Sequence, residues 1–235
     1  MCTLILYTKP RRNGKIRLVL VYNPGKYEEE NIGFMMLKRK TKKDLQDRFI
    51  IVSGLPRSGT SMMMKMLEVG GIPVLSDHER EADEDNPKGY FEYEHVKKLK
   101  DGENDWLPQA KGKVVKVIAA LLTHLPQEYQ YDVIFMRRAM PEILASQKQM
   151  LIRRGENPDK VKDEDIAALF DKHLSQVIDW AKKQKNIRLI EVDYNAAIKN
   201  PAPVIKRVNN FLGNQLNTEM MASVIDPNLY RQRKT

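Results

Sequence analysis

The stretch FIIVSGLPRSGTSMMMKMLEV, residues 49–69, decides the fold. Its first five residues form an apolar run typical of a buried strand, and its last ten follow the spacing of a helix with one apolar face. Between them lies a short turn bounded by Gly54 and Gly59. A strand that passes through such a turn into a helix directs backbone N–H groups and the positive helix end at a bound anion. The stretch therefore predicts a phosphate-binding loop.

The loop departs from the pattern of nucleoside triphosphatases. Their loop has the form G-x-x-x-x-G-K-[ST], in which the lysine reaches the terminal phosphates and the hydroxyl holds magnesium. Here Thr60 stands in place of the lysine, and a cation occurs inside the loop instead, at Arg57. This arrangement suits a phosphate ester whose leaving phosphate is neutralised without a metal ion, and we expect no metal requirement. A turn that joins strand to helix without any ligand is the alternative.

Short apolar strands alternate with helical segments from Phe49 onward. Such alternation predicts a mostly parallel sheet with helices on both faces, a three-layer α/β/α fold of the phosphate-loop type. The predicted strands are Phe49–Ser53, Lys113–Ile118, Tyr131–Met136 and Ile187–Asp193, and the predicted helices are Thr60–Val69, Pro141–Arg153, Glu164–Gln184 and Pro201–Leu212.

Residues 1–45 have a different character and form a predicted N-terminal extension. Two β-like runs, Leu4–Tyr7 and Ile16–Tyr22, flank a turn-prone segment, so a β-hairpin is expected. We assign residues 46–235 to a single phosphate-loop domain. Within it, residues 71–106 form a long polar, acidic segment, which is either a wall of the substrate site or disordered.

The net charge of +9 is concentrated at the two ends of the chain. Residues 1–48 contain 12 Lys and Arg against 5 Asp and Glu, residues 231–235 contain three cations, and residues 49–230 are nearly neutral. No aromatic residues are interleaved with the basic segment 38–48, so we expect no nucleic-acid partner. No apolar run is long enough to span a membrane. The single cysteine, Cys2, fits a reducing compartment, and we expect a cytoplasmic protein without a membrane partner.

The segment Pro56-Arg57-Ser58-Gly59-Thr60-Ser61 resembles the sulfotransferase superfamily. It matches at every position the P-R-S-G-T-[ST] motif of the bacterial and tyrosylprotein-type branch, whereas the steroid-type branch has lysine in place of the arginine. The resemblance implies a donor substrate, 3′-phosphoadenosine 5′-phosphosulfate (PAPS), without a metal. It also implies that the six residues of the motif bind the 5′-phosphosulfate, with Arg57 stabilising the charge that develops in the transfer.

A second part of the resemblance lies about eighty residues further along the chain. The family holds the 3′-phosphate of the donor with an arginine at a strand end and a serine eight positions later. Arg138 and Ser146 have this spacing, although the adjacent Arg137 remains an alternative ligand. The segment EVDYNAAIKNPAPVIKRVNNFLG also resembles the family, except that Asn195 stands where an acidic residue is usual. The resemblance covers about residues 49–213.

The general base is the least determined part of the predicted site. The resemblance implies a glutamate about twenty residues after the loop arginine, where Asp77, His78 and Glu79 lie, with Glu92 and His95 as further candidates. A solvated acid or a loop ion pair explains each of them equally well.

We therefore predict a sulfotransferase that acts on a hydroxyl or amine of a small or peptide-borne acceptor. Two other functions remain open. One is a kinase or other NTP-dependent phosphotransferase of the same fold, and the other is a nucleotide-binding module without catalysis.

Overall fold

The computed structural model describes residues 48–77, 91–159 and 161–226, together with the backbone of two N-terminal strands. These strands, β1 (Ile5–Pro10) and β2 (Ile16–Val21), pair antiparallel, with Ile5 opposite Val21. The chain divides into two compact units, residues 1–38 and residues 39–235. The domain boundary between residues 45 and 46 stays a prediction.

The larger unit is built on a parallel sheet of four strands in the order β4-β3-β5-β6. Strand β3 lies between its neighbours β4 and β5, so the loop that follows β3 emerges near the middle of the sheet. Since all four strands run in one direction, their carboxyl ends meet at one edge, where ligands of open α/β sheets bind. The strands are β3 (Phe49–Gly54), β4 (Val114–Lys116), β5 (Tyr131–Arg137) and β6 (Ile187–Asp193).

Helices connect the strands and cover both faces of the sheet. The α-helices of the described ranges are α1 (Thr60–Val69), α2 (Leu107–Ala110), α3 (Met140–Arg153), α4 (Asp163–Lys183), α5 (Tyr194–Lys199), α6 (Pro201–Phe211) and α7 (Thr218–Ser223). Two 3₁₀ helices span Glu94–Asp101 and Ala119–His124. None of the helices in the described part of the chain is long and apolar enough to cross a membrane.

Two apolar cores lie on opposite faces of the sheet. Strand β3 contributes side chains to both cores, because successive side chains of a strand point to opposite faces of the sheet. Phe49 and Ile51 enter one core, which α4 covers, and Ile50 and Val52 enter the other, which α1 and α6 cover. This arrangement of helices, sheet and helices confirms the predicted three-layer α/β/α fold.

A buried carboxylate joins the elements at the amino ends of the strands. Asp132, near the start of β5, is fully buried. It accepts hydrogen bonds from Arg48 Nε at 2.7 Å and from Arg188 Nε and Nη2 at 2.7 and 2.6 Å. Arg188 also donates to the carbonyl of Phe211 at 3.2 Å. The cluster links Asp132 of β5 to Arg48, which precedes β3, and to Arg188 of β6. Arg188 in turn links it to the end of α6.

Candidate active site

The loop between β3 and α1 is a tight turn held by one carbonyl. The backbone N–H and the hydroxyl of Ser58 both donate to the Leu55 carbonyl, at 3.2 and 2.7 Å. Arg57 has a φ of 70°, in the left-handed region that a non-glycine residue rarely adopts. The loop therefore holds the arginine in a strained backbone conformation, which occurs often at ligand sites.

The loop needs glycine at positions 54 and 59, because other atoms of the protein lie where a Cβ atom would be. A Cβ atom on Gly54 would lie 2.5 Å from Ser58 Oγ and 2.7 Å from the Met136 carbonyl oxygen. A Cβ atom on Gly59, which has a φ of 95°, would collide with the ring of Tyr194. The loop is thus closed on two sides by β5 and by the residue that follows β6.

Helix α1 begins directly at this loop. Its N-cap is Gly59, whose carbonyl accepts the N–H of Met63 at 3.2 Å, and no side chain of the described residues caps this end. The N–H groups of the first helical turn therefore find no carbonyl within the helix. Together with the small residues of the loop, they form a cradle that fits a phosphate group.

The predicted second part of the site lies directly against the loop. Arg57 Nε donates to Ser146 Oγ at 2.8 Å, and Arg138 Nη1 donates to the Arg57 carbonyl at 3.0 Å. Both residues that were predicted to hold the 3′-phosphate thus contact the loop arginine. The structure brings them together although Ser146 follows Arg57 by 89 residues.

Arg138 also has partners that the sequence analysis did not identify. Its Nε donates to Glu142 Oε2 at 2.9 Å, and its guanidinium lies 4.6 Å from the centre of the Tyr194 ring. Glu142 is only 3% exposed, and its other oxygen accepts the side-chain amide of Asn195 at 2.8 Å. The sequence signal for Glu142 is an acidic residue four positions after an arginine, although this spacing is common in helices.

A polar cavity of about 420 Å³ opens beside this network at the carboxyl ends of β5 and β6. Arg137 is one of its lining residues and also lies 3.6 Å from Glu191. Its role as an alternative to Arg138 stays a prediction. The charged or amide-bearing residues that line the cavity are Arg137, Arg138, Glu142, Asp193, Asn195 and Lys199.

Tyr194 lies against both Arg138 and Gly59 of the loop. Burial is the main cause that raises the pKa of its hydroxyl; the charge of Glu142 also raises it, and Arg138 opposes the shift. The phenol is therefore neutral at physiological pH. A neutral ring fits the packed position against Gly59 and beneath Arg138.

The candidate bases occupy different settings. Asp77 accepts the N–H of Glu94 at 2.6 Å and its own N–H donates to the Glu92 carbonyl at 3.2 Å, so its carboxylate holds the start of a 3₁₀ helix. Glu79 and His78 lie outside the described residues. His95 packs on Tyr93, with the ring centres 5.1 Å apart.

Glu92 forms an ion pair with a residue that sequence reasoning missed. Lys116 Nζ lies 3.6 Å from Glu92 Oε1, and the lysine side chain is only 10% exposed. Lys116 ends β4 opposite Val52, next to the strand that carries the phosphate loop. A lysine in an otherwise apolar strand was the available signal, because such a residue needs a buried partner or a function.

Several solved structures are similar to this chain. A sulfotransferase domain from the curacin biosynthetic pathway is 13% identical, with a TM-score of 0.46, and the match covers 77% of this chain and 88% of that one. Mouse sulfotransferase SULT7A1 complexed with PAP is 19% identical, with a TM-score of 0.41 and coverage of 77% and 63%. Retinol dehydratase in complex with androsterone and inactive cofactor PAP is 16% identical, with a TM-score of 0.38 and coverage of 77% and 64%.

A comparison with curated proteins gives no match. The model of the sulfotransferase domain family matches residues 47–234, which include the phosphate loop, Arg138, Ser146 and every strand of the parallel sheet. The superfamily predicted from the loop motif is thereby confirmed: the chain belongs to the sulfotransferase domain family.

Proposed function

We propose that this sulfotransferase uses PAPS as its donor and transfers the sulfuryl group to a hydroxyl or amine of a small or peptide-borne acceptor. The observation that carries the proposal is the contact of Arg57 with both Arg138 and Ser146. Arg57 belongs to the loop that suits the 5′-phosphosulfate, and it contacts both Arg138 and Ser146, the residues that suit a 3′-phosphate. This combination separates a PAPS site from an ATP site.

Arg57 and the N–H groups at the start of α1 bind the 5′-phosphosulfate in this proposal. The donor supplies an activated sulfuryl group whose transfer leaves negative charge on the phosphate. The hydrogen bond to Ser146 fixes the plane of the Arg57 guanidinium, whose parallel N–H groups match a phosphate oxyanion. Ready-placed donors of this kind stabilise charge at the moment it develops.

In this proposal Arg138 and Ser146 bind the 3′-phosphate next to the phosphate loop. The Ser146 hydroxyl accepts from Arg57 and retains its own hydrogen as a donor for an anion. The adjoining cavity, which Arg137 also lines, provides space for the nucleoside.

Glu92 is the base that the geometry favours. Its carboxylate pairs with Lys116, which lies opposite Val52 of the strand that leads into the phosphate loop, and this contact supports Glu92 as the residue that receives the proton of the acceptor. The Asp77 carboxylate is engaged by the backbone N–H of Glu94. Asp77 and Glu79 remain candidates that the same experiment tests. The lone Cys2 supports a cytoplasmic location.

Calorimetric titration with adenosine 3′,5′-bisphosphate and with ADP tests the donor. We expect the wild type to bind the bisphosphate more tightly, and Arg138→Ala to lose about 1.5 to 3 kcal/mol of that binding, the contribution of a charge-assisted hydrogen bond. Arg137→Ala is the comparison variant and should keep most of the affinity for the bisphosphate; a larger loss in it than in Arg138→Ala would make Arg137 the ligand of the 3′-phosphate. Equal affinity for the two nucleotides would rule out the PAPS assignment and favour an NTP-dependent enzyme.

Single-turnover transfer with bound donor tests the base. We expect Glu92→Gln to slow transfer by about 10²- to 10⁴-fold, the contribution of a positioned general base. Asp77→Asn and Glu79→Gln are the comparison variants and should keep most of the rate. A larger loss of rate in either variant would identify that residue as the base. Donor binding without transfer to any acceptor tested would indicate a nucleotide-binding module.

A further inference from the structure

We propose that Glu142 and Asn195 form a positioning pair that sets the orientation of Arg138 and thereby determines how well the site distinguishes a 3′-phosphorylated nucleotide from one without that group. This inference rests on the proposed PAPS site and adds two residues that do not themselves touch the donor. Its basis is a chain of three hydrogen-bonded side chains at the carboxyl ends of β5 and β6.

Glu142 is a buried carboxylate whose two oxygens have different partners. Oε2 accepts Arg138 Nε at 2.9 Å, and Oε1 accepts Asn195 Nδ2 at 2.8 Å. The glutamate is 3% exposed and the Arg138 side chain is 9% exposed, so water competes little for either bond. Hydrogen bonds in such surroundings restrict a long side chain to one orientation.

Asn195 suits this position because it is both a donor and an acceptor. Its Nδ2 donates to Glu142, and its Oδ1 accepts the N–H of Ala139 at 3.4 Å, at the start of α3. An ionised carboxylate at residue 195 could not donate, and it would place a second negative charge against Glu142. The two contacts therefore give a reason for an amide at this position.

The orientation of Arg138 matters at both ends of the donor site. Its Nη1 donates to the carbonyl of Arg57, the loop residue with the left-handed backbone. A guanidinium that turns away would lose this bond and leave the place assigned to the 3′-phosphate. Glu142 and Asn195 thus act on both parts of the site through one side chain.

The sign of the effect separates positioning from simple electrostatics. Glu142 carries a negative charge next to a residue that binds an anion. If charge alone mattered, removing it would strengthen binding of a phosphate. If Glu142 positions Arg138, removing one of its acceptor oxygens weakens binding even though the site becomes more positive.

The experiment compares affinities for adenosine 3′,5′-bisphosphate and adenosine 5′-monophosphate, measured by calorimetry on the full chain. The ratio of the two affinities isolates the 3′-phosphate, whereas a general loss of stability would weaken both. We expect Glu142→Gln and Asn195→Asp each to lower the ratio by about tenfold, as for loss of one ordered charge-assisted contact. Glu191→Gln is the matched control, because it removes a carboxylate beside the adjacent Arg137 and should leave the ratio unchanged.

The double variant Glu142→Gln/Asn195→Asp provides the rescue. The amide introduced at position 142 could accept from Arg138 and donate to the carboxylate introduced at position 195. That carboxylate could also accept the N–H of Ala139, so the hydrogen-bond pattern is rebuilt with the negative charge moved from one side chain to its partner. We expect the ratio of the double variant to exceed that of Asn195→Asp alone. Asn195→Ala, which keeps the charge of Glu142, replaces any single variant that fails to fold and should also lower the ratio.

A ratio that is unchanged or raised in Glu142→Gln would overturn the inference while leaving the PAPS proposal intact. The same holds for a double variant no better than Asn195→Asp. If the wild type itself does not prefer the bisphosphate, the proposed function fails and this inference fails with it.

Discussion

The two ends of the parallel sheet each contain a buried carboxylate between polar partners, yet they differ in what surrounds it. At the amino ends, Asp132 is fully buried and is held by two arginines, Arg48 and Arg188. At the carboxyl ends, Glu142 holds one arginine and one amide, beside a cavity and a glycine-rich loop.

The difference shows how similar side chains acquire different roles. The Asp132 cluster joins β5 to β6, to the end of α6 and to the residue before β3, so its expected role is stability. The Glu142 cluster fixes an arginine that contacts the phosphate loop, so its expected role is binding. Helix N-termini and backbone N–H groups converge at the carboxyl ends of parallel strands, and the site therefore lies there.

The largest expected effect is on catalysis. Arg57→Ala should lower kcat/KM by about 10²- to 10³-fold, or about 3 to 4 kcal/mol, because in the proposed site it removes the donor that stabilises developing charge. Steady-state transfer kinetics measure the loss, and the melting temperature should change little. Arg57→Lys, which keeps the charge but not the paired N–H groups, is the control and should retain part of the rate. A large fall in melting temperature would show that Arg57 supports the fold instead.

The opposite result is expected at the other end of the sheet. Asp132→Asn should lower the free energy of unfolding by about 3 kcal/mol, since it leaves the partly exposed Arg48 and Arg188 without the buried carboxylate that they share. Denaturant unfolding measures this change. Transfer activity well below the melting temperature should stay near that of the wild type. Loss of activity in the folded variant would contradict the division of roles between the two ends.

A smaller effect is expected where the loop meets Tyr194. Gly59→Ala should cost about 2 kcal/mol of stability, because it combines a left-handed backbone with a Cβ that enters the Tyr194 ring. Gly102→Ala is the matched control, since Gly102 also has a positive φ of 80°, but beyond its chain neighbours no atom of the described residues lies within 4 Å of the added Cβ. Thermal unfolding and bisphosphate affinity should both fall further for Gly59→Ala. Equal effects would mean that backbone conformation alone decides the outcome.

The smallest expected effect concerns Tyr131, the first residue of β5, and the dependence of stability on pH. Burial raises the pKa of the Tyr131 hydroxyl above its usual value near 10, and this hydroxyl donates to the Pro126 carbonyl at 3.0 Å. Above that pH the unfolded chain loses the proton and the folded chain keeps it, so stability should fall as pH rises further. Tyr131→Phe should cost about 1 kcal/mol at neutral pH, the value of one hydrogen bond. Denaturant unfolding from about pH 8 to about pH 11, a range that spans the ordinary tyrosine pKa, should show a weaker decline in the variant.

Most of the fold could be predicted because its signals are local. The strand, glycine turn and helix of residues 49–69 are consecutive, and each has its own periodicity. The short elements were harder, since 3₁₀ helices such as Glu94–Asp101 have little repeating pattern. Apolar spacing alone does not decide burial either: Leu169 of α4 has that spacing and is 64% exposed.

The candidate site divides in the same way. The resemblance to the sulfotransferase superfamily implied the loop residues, Arg138 and Ser146, and the contacts of the last two with Arg57 agree with a common site. The pairs Glu142–Asn195 and Glu92–Lys116 could not, because each joins residues from separate segments. Their roles, like those of Asp77 and Glu79, stay predictions.

The sequence by itself determined the strand-loop-helix unit, the alternation of strands and helices, and the family. Backbone preferences and apolar periodicity depend on residues that are close together in the sequence, so these features can be predicted without knowing the tertiary structure. Only the tertiary structure decided that β3 lies between β4 and β5, that Lys116 meets Glu92, and that Asn195 completes the partners of Glu142. Those contacts depend on strand order and register, which bring distant residues to the same edge of the sheet.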